Sequence, residues 1–465
     1  MIRMTWAQPE DLIAHELVAS AAEGKEVADV RERWLAAGGS ADAPASGASP
    51  EPATPQQREL ARRLVAELDA RPVSAVLASA EPDDLDELEG VWRQQTAVGA
   101  VASPPGTGKL DAPDRVHGAW LGRAAGCLLG KPVEKVGRAG IRAILESTGG
   151  WPLSGYFTAC GLDPEIAARH PWNRKSATTS LRENIAGMPE DDDLNFPLIA
   201  LRLLETVGDG FTTDDVARAW LDGLPGGRVF TAERVVYRNL LDGVEPAEAG
   251  RVGNPFREWI GAQIRTDVYG WAYPGDPVAA ARLAWRDARL SHTRSGLYGA
   301  LFVAAACSTA LVADDIDAVI DAGLSVVPAG SRYAEAIRFG RELGAGPLDA
   351  EAAVDEIVAR YGGLHWVHAL NNSCLAAFAL ARGAGDYATT ITTAVAGGWD
   401  TDSVGATVGS IAGALTGAAA LPAEWVGPLA NRLATSIPGL DGVGFDELAA
   451  RTLAVSAAIS AGRSQ

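Results

Sequence analysis

The chain has 465 residues, of which 47% are hydrophobic and 21% are charged, a composition that excludes wholly disordered, collagen-like and disulfide-stapled proteins. Its net charge of −19 would repel DNA, RNA and anionic membranes, which excludes a general polyanion-binding function. The cysteines, which are Cys127, Cys160, Cys307 and Cys374, are far apart and form no CxxC motif. This spacing excludes a cysteine-based zinc site and predicts a reducing compartment, which we take to be the cytoplasm.

The N-terminal region, residues 1–100, is predicted to be a helical extension. Residues 9–37 have an amphipathic helical pattern, and helical character returns after residue 57. Between them, residues 38–56 are small, polar and rich in proline, which predicts a flexible linker. A second linker is predicted at 101–113. The extension could bind a partner, support dimerisation or cover an active site, and its sequence leaves these alternatives and the oligomeric state open.

Residues 114–460 are predicted to form one all-α domain of orthogonally packed helices. Apolar residues recur at i, i+3 and i+4 in segments 194–207, 278–290, 297–312, 333–343, 350–361 and 373–382. The longest apolar stretches, 297–313 and 404–421, each lie beside aspartates, and the second contains several glycines. Because a transmembrane helix needs about 20 apolar residues, both stretches are interpreted as buried helices.

The sequence PPGTGK at 104–109 resembles the end of a nucleotide-binding P-loop. The full motif needs a glycine where Ser103 stands and a serine or threonine where Leu110 stands. No predicted strand precedes it. We therefore interpret this segment as part of the linker.

Two acidic clusters each precede an apolar helix. Glu190–Asp193 are four consecutive acids, and Asp400, Asp402 and Ser403 follow two glycines and a tryptophan. Each cluster alone is also typical of an acidic turn or a helix N-cap. If the two helix starts meet, however, five or six oxygens converge, a ligand set that favours Mg²⁺ or Mn²⁺ and suits two ions about 3.5–4 Å apart.

These clusters, with a glycine-rich segment from Gly118 to Glu134, resemble the ADP-ribosylglycohydrolase family of the dinitrogenase-reductase-activating type. That family has an all-α fold and a two-metal site for magnesium or manganese. Its Gly-Asp pair is replaced here by Gly126 and Cys127. Its Thr-Asp-Asp-Thr segment matches Glu190–Asp193, and its late Gly-Gly-Asp-x-Asp-Thr motif matches with Trp399 inserted and Ser403 in place of threonine.

The resemblance implies the site residues. The implied metal ligands are Glu190, Asp191, Asp192, Asp400, Asp402 and Ser403. Glu134 or Asp192 is implied as the general base or the leaving-group acid, and the sequence leaves the choice open.

The substrate contacts are less well matched. Residues 261–265 resemble the family's substrate loop without its asparagine, and residues 285–293 resemble the segment that ends in the family's histidine. The implied substrate-binding residues are Gly126, Gly130, Gly261, Gln263, His292, Ser295, Gly296 and Trp399. For each glycine, an ordinary turn or close helix packing is the alternative.

The resemblance implies hydrolysis of the bond at the anomeric carbon of an ADP-ribosyl group on a protein side chain or small molecule. The first alternative keeps the fold and metals but takes another ribosylated metabolite, such as a nucleoside, a nucleotide or a sugar intermediate. The second is a non-catalytic structural or regulatory relative. Neither nucleic acid nor a membrane is expected as a partner.

Overall fold

A computed structural model describes residues 3–45, 47–97, 112–173 and 176–463. Within these ranges the chain forms helices, turns and loops, with three isolated β-bridges and no strand. The predicted all-α fold is therefore confirmed. None of the described helices is long and apolar enough to cross a bilayer.

The N-terminal region contributes the first five helices. They are α1 (Pro9–Ala22), α2 (Ala28–Ala36), α3 (Pro55–Asp69), α4 (Ala75–Ala80) and α5 (Leu85–Ala97). The Thr54 hydroxyl accepts a hydrogen bond from the Gln57 N–H, and the Gln57 side chain accepts one from the Thr54 N–H. This reciprocal cap fixes the start of α3.

The remaining described helices follow the second predicted linker. They are α6 (Ala112–Gly130), α7 (Arg138–Thr148), α8 (Pro164–Arg169), α9 (Ala177–Ser180), α10 (Asp192–Thr206), α11 (Thr213–Gly223), α12 (Thr231–Leu241), α13 (Pro246–Ala249), α14 (Asp267–Ala272), α15 (Pro277–Ala288), α16 (Arg294–Ala310), α17 (Ile316–Ser325), α18 (Arg332–Ala345), α19 (Ala350–Tyr361), α20 (Ala369–Gly383), α21 (Tyr387–Ala396), α22 (Thr401–Thr416), α23 (Ala423–Val426) and α24 (Phe445–Arg463). Short 3₁₀ helices cover Lys131–Val133, Gly226–Arg228, Ile260–Arg265 and Gly427–Leu429. Each of the six segments with predicted helical spacing lies mainly or wholly within one of these helices.

Helices α6 and α22 pack antiparallel with their backbones in contact. Glycines at four-residue intervals on α6 face the backbone of α22. The pairs are Gly118 with Gly413, Gly122 with Gly409, Gly126 with Gly405 and Gly130 with Thr401. A Cβ atom at Gly126 would lie 2.0 Å from the carbonyl oxygen of Gly405. Only glycine permits this approach, which holds the C-terminal end of α6 against the start of α22.

The N-terminal helices pack against the rest of the chain through apolar and charged contacts. Trp6 and Trp92 are buried in the main hydrophobic core. Arg257 pairs with Glu16 at 2.9 Å and with Glu23 at 2.6 Å, and these three side chains are all buried. Such buried pairs position the extension, because breaking one leaves an uncompensated charge.

The first predicted linker contains no helix before Pro55 among its described residues. Hydrogen bonds join it to its neighbours: the Trp6 N–H donates to the Gly47 carbonyl at 2.6 Å, and the Trp366 indole donates to the Ala45 carbonyl at 3.3 Å. The second predicted linker lies outside the described residues except for 112 and 113, which begin α6. The PPGTGK segment also lies outside them.

Candidate metal centre

The two acidic clusters lie at the starts of α10 and α22, as the sequence predicts. Asp191 caps α10, and its carboxylate accepts a hydrogen bond from the Asp193 N–H at 3.0 Å. Asp400 is the residue before α22 and makes no side-chain cap. Its N–H donates instead to the Asn372 side chain at 3.2 Å. The Asp400 carboxylate is therefore not used to cap its own helix.

One group of carboxylates combines the start of α22 with the segment that follows α6. Oxygens of Glu134, Asp400 and Asp402 all lie within 4.8 Å of one another. Asp400 and Asp402 are buried, and Glu134 is half-buried. Asn173 donates to Glu134 at 2.6 Å and Lys135 pairs with it at 3.0 Å, contacts that orient the carboxylate.

A second group lies at the start of α10. Ligand atoms of Cys127, Asp191 and Asp193 lie within 4.8 Å of one another, and all three residues are buried. The Arg123 guanidinium donates to the Asp193 carbonyl at 2.8 Å. The Oδ1 atom of Asp193 is buried and accepts no hydrogen bond among the described residues, but it pairs with the Arg123 guanidinium at 3.7 Å. An unsatisfied buried carboxylate oxygen is costly unless a cation or water pairs with it.

A serine connects the two groups. The Ser403 hydroxyl donates to Asp193 at 3.3 Å, and the Ser403 N–H donates to the Asp402 carboxylate at 3.1 Å. Burial and the nearby Asp402 carboxylate raise the pKa of Asp400 well above its usual range. Burial, followed by the charges of Asp191 and Asp402, does the same for the pKa of Asp192, the first residue of α10. Hard oxygen donors crowded in this way fit divalent cations such as Mg²⁺ or Mn²⁺.

Lys131 brings a positive charge into this cluster, a feature that sequence reasoning missed. Its ammonium donates a hydrogen bond to Asp191, and only 13% of the lysine side chain is exposed. Burial lowers the pKa of Lys131, but the Asp191 charge, the hydrogen bond to Asp191 and the other acidic neighbours together outweigh burial, so the pKa is raised. The signal was available in the sequence, because Lys131 lies between Gly130 and Pro132 in the motif that ends at Glu134.

Of the three predicted ligands in the first cluster, Asp191 belongs to the second group, whereas Asp192 lies outside both groups and so does Glu190. Its carboxylate pairs with Arg228 at 3.1 Å and accepts hydrogen bonds from the Ser436 N–H at 2.9 Å and from Asn195 at 3.2 Å. These contacts turn the carboxylate away from Asp191. The arrangement gives no support to Glu190 as a ligand.

The predicted backbone donors of α6 have a packing role instead. Gly126 lies inside α6, where its N–H belongs to the hydrogen-bond ladder of the helix. Gly130 is the last residue of α6, and its Cβ position would lie 2.1 Å from the Thr401 carbonyl oxygen. Gly126 therefore cannot donate to a substrate phosphate, and close helix packing explains both glycines.

The other predicted substrate residues form a buried layer around the start of α16. Gln263 accepts a hydrogen bond from Ser373 at 2.6 Å, and a Cβ at Gly261 would lie 2.3 Å from the Glu233 carboxylate. The ring of His292 contacts the Ser291 hydroxyl at 2.7 Å. Gly296 has no room for a side chain because Arg257 and His292 are too close. These contacts are all with protein groups, and none of these residues belongs to either acidic group.

Polar atoms without partners remain in this layer. Among the described residues, His292 Nε2, Thr293 Oγ1 and Ser295 Oγ are buried and make no hydrogen bond. Burial lowers the pKa of His292 well below its usual range, and Arg265 lowers it further. His292 is therefore neutral near pH 7.

Trp399, the residue inserted in the late motif, has an unusual backbone. Its φ of 64° lies in the left-handed region, which residues other than glycine rarely adopt. The residue is half-buried and packs partly against the core. Its predicted stacking on a base or sugar stays a prediction.

The all-α fold thus brings buried carboxylates together at two adjoining helix starts, a ligand set of the chemical kind that divalent cations take. The family model for ADP-ribosylglycohydrolase matches residues 109–459, so the chain belongs to the ADP-ribosylglycohydrolase family and is a glycosyl hydrolase of that family. A solved ADP-ribosylglycohydrolase-related protein complex is similar at 24% identity and a TM-score of 0.45, over 74% of this chain and 98% of that one. No curated protein sequence matches this chain.

Proposed function

We propose that this protein is a metal-dependent hydrolase that cleaves the bond at the anomeric carbon of an ADP-ribosyl group on a protein side chain or small molecule. The observation that carries the proposal is the group formed by Glu134, Asp400 and Asp402, whose oxygens lie within 4.8 Å. A chain of this family that keeps these three acids together retains carboxylates for both metal binding and proton transfer.

The proposed metal ligands are Asp191, Asp192, Asp400, Asp402 and Ser403, the predicted set without Glu190. The ions are magnesium or manganese, and two is the number that the resemblance implies. When bound, such ions supply Lewis acidity towards ribose hydroxyls and water. The carboxylates themselves orient the sugar and stabilise the positive charge that develops at the anomeric carbon.

We assign the proton transfers of the reaction to Glu134 or Asp192. In the reaction, the oxygen of water bonds to the anomeric carbon while the bond to the leaving group breaks. One proton of that water passes to the base carboxylate and then to the leaving group, so the enzyme is regenerated. Glu134 is half-buried and held by Asn173 and Lys135, a setting that favours a fixed, accessible base.

A second candidate substrate is a ribosylated metabolite without the full ADP moiety. The segment between α4 and α5 covers the start of α16, where the implied substrate residues Ser295 and Gly296 lie: the Arg294 N–H donates to Asp83, and the Tyr298 hydroxyl donates to the Pro82 carbonyl at 2.8 Å. Trp259, two residues before Gly261, stacks on His365 at 4.2 Å. This packing favours a smaller substrate, because it fills space beside the implied substrate residues.

Metal-dependent activity tests the primary proposal. Release of ADP-ribose from ADP-ribosylated arginine, ADP-ribosylated serine and acetyl-ADP-ribose is measured with Mn²⁺, with Mg²⁺ and with a chelator. We expect Asp402→Asn to lose metal binding and activity together. Glu134→Gln should keep metal binding and lose about 100-fold or more in rate if Glu134 is the base.

Asp222→Asn, a change at an exposed acid of α11, is the matched control and should keep full activity. Full activity of Asp402→Asn, or indifference to the chelator, would contradict the proposal.

Substrate truncation separates the two candidates. An ADP-ribosyl compound and the matching ribosyl compound, with the same leaving group, are compared by kcat/KM. A large loss on truncation supports ADP-ribosyl substrates, because remote binding energy contributes to catalysis. An equal or higher value for the ribosyl compound supports the smaller substrate.

A further inference from the structure

We infer that the ammonium group of Lys131 takes the position of one of the two divalent ions, so that this metal centre binds a single Mg²⁺ or Mn²⁺. The inference rests on the proposed metal-dependent function. It changes the number of ions and assigns Lys131 as a resident cation of the site. The remaining ion would bind beside Asp400 and Asp402.

The backbone at Lys131 is fixed close to the metal ligands. Lys131 is the first residue of the 3₁₀ helix that directly follows α6. At the preceding residue, Gly130, a Cβ would meet the Asp402 backbone nitrogen at 2.4 Å and the Thr401 carbonyl oxygen at 2.1 Å. The base of the lysine side chain thus starts beside α22, where the second acidic cluster lies.

The ammonium uses the carboxylate that a second ion would need. It donates a hydrogen bond to Asp191 Oδ2, and the exposed fractions of the two side chains are 13% and 4%. It also interacts electrostatically with Asp402. Two metal ions that share carboxylates lie about 3.5–4 Å apart. A second ion at Asp191 would therefore face a fixed positive charge at hydrogen-bonding range.

Beside Asp191, the second group contains one other carboxylate, Asp193, which already pairs with Arg123 at 3.7 Å and accepts a hydrogen bond from Ser403 at 3.3 Å. The Glu190 carboxylate pairs with Arg228 instead. The third member of the group around Asp191 and Asp193 is Cys127, a thiol, which is a poor ligand for hard cations. In the native chain the ammonium therefore supplies the positive charge that balances Asp191, and a second divalent ion would supply that charge once the lysine is replaced.

Counting bound ions tests the inference without an activity assay. Mn²⁺ alone is titrated by calorimetry into the full metal-free chain, and bound manganese is counted by elemental analysis and by electron paramagnetic resonance. We expect one ion per native chain. Lys131→Ala, and the longer neutral variant Lys131→Met in case alanine impairs folding, should bind two ions and give the spectrum of a coupled manganese pair.

Lys135→Ala is the charge-matched control, because Lys135 pairs with Glu134 rather than with Asp191. It should still bind one ion. Two ions in the native chain, one ion in both Lys131 variants, or two ions in Lys135→Ala would each overturn the inference and leave the proposed function standing. If neither the native chain nor the Lys131 variants bound an ion, both the inference and the proposed function would be overturned.

Discussion

The contact between α6 and α22 makes a quantitative prediction at Gly126. A Cβ there would lie 2.0 Å from the Gly405 carbonyl oxygen and 2.7 Å from its carbonyl carbon, whereas ordinary contact begins at 3.4 Å. In Gly126→Ala the two helices must separate by more than about 1 Å, and overpacking of this kind costs about 1–3 kcal/mol. Alanine regains about 0.5–1 kcal/mol through its helix propensity. We expect the free energy of unfolding to fall by about 1–2 kcal/mol.

Urea unfolding followed by circular dichroism measures this change. Gly90→Ala in α5 is the matched control, because a Cβ at Gly90 meets nothing within 4 Å. The control should gain about 0.5–1 kcal/mol from helix propensity alone. Mn²⁺ affinity should also fall in Gly126→Ala, since separating α6 from α22 moves Asp400 and Asp402, at the start of α22, away from Glu134. If Gly126→Ala were as stable as Gly90→Ala, the backbone contact would not be the reason for glycine at this position.

Two further predictions concern the N-terminal extension. Burial lowers the pKa of His15 to about 4, so its contribution to stability is complete above about pH 6.5 and is lost as the pH falls towards 4, because only the unfolded chain takes up the proton. At pH 5 the native chain has lost about 2 kcal/mol of its unfolding free energy through His15. Between pH 7 and pH 5, the unfolding free energy of His15→Phe should therefore fall by about that much less than that of the native chain. If both chains showed the same pH dependence, the assignment to His15 would be refuted. Arg257→Met leaves the buried Glu16 without its cationic partner, while Glu23 keeps Lys25 and Arg294, and it should cost about 3–5 kcal/mol. Arg451→Met, at a partly exposed pair, should cost about 1 kcal/mol or less; equal losses in urea unfolding would count against the buried network.

The helices that carry the site could be predicted because their pattern is local. The apolar spacing of segment 194–207 and the acids before it predict a capped helix, and α10 runs from Asp192 to Thr206 with Asp191 as its cap. The same holds for α22, which begins directly after Asp400. The meeting of the two helix starts could be expected from the family pattern, but not from either segment alone.

Side-chain directions could not be predicted in the same way. Glu190 and Asp191 are adjacent, yet one carboxylate pairs with Arg228 and the other accepts a hydrogen bond from Lys131. This choice depends on a residue 38 positions further along the chain and on another 60 positions before it. The packing of the N-terminal extension against the rest of the chain could not be predicted either, since the pairing of Glu16 with Arg257 joins residues 241 apart.

The substitution at Cys127 shows how a departure from the family pattern is compensated in space. The resemblance implies an aspartate at this position and a threonine at position 193, and this chain has Cys127 and Asp193 instead. The thiol of Cys127 lies 4.0 Å from the Asp193 carboxylate, so the lost acid on α6 is replaced by one on α10 at the same contact. An acidic side chain beside Arg123 and Asp191 is therefore kept, and burial together with the charges of Asp191 and Asp402 raises the pKa of this side chain well above its usual range. Lys131 adds a positive charge beside these acids, and this charge reduces the net negative charge that the centre presents to cations.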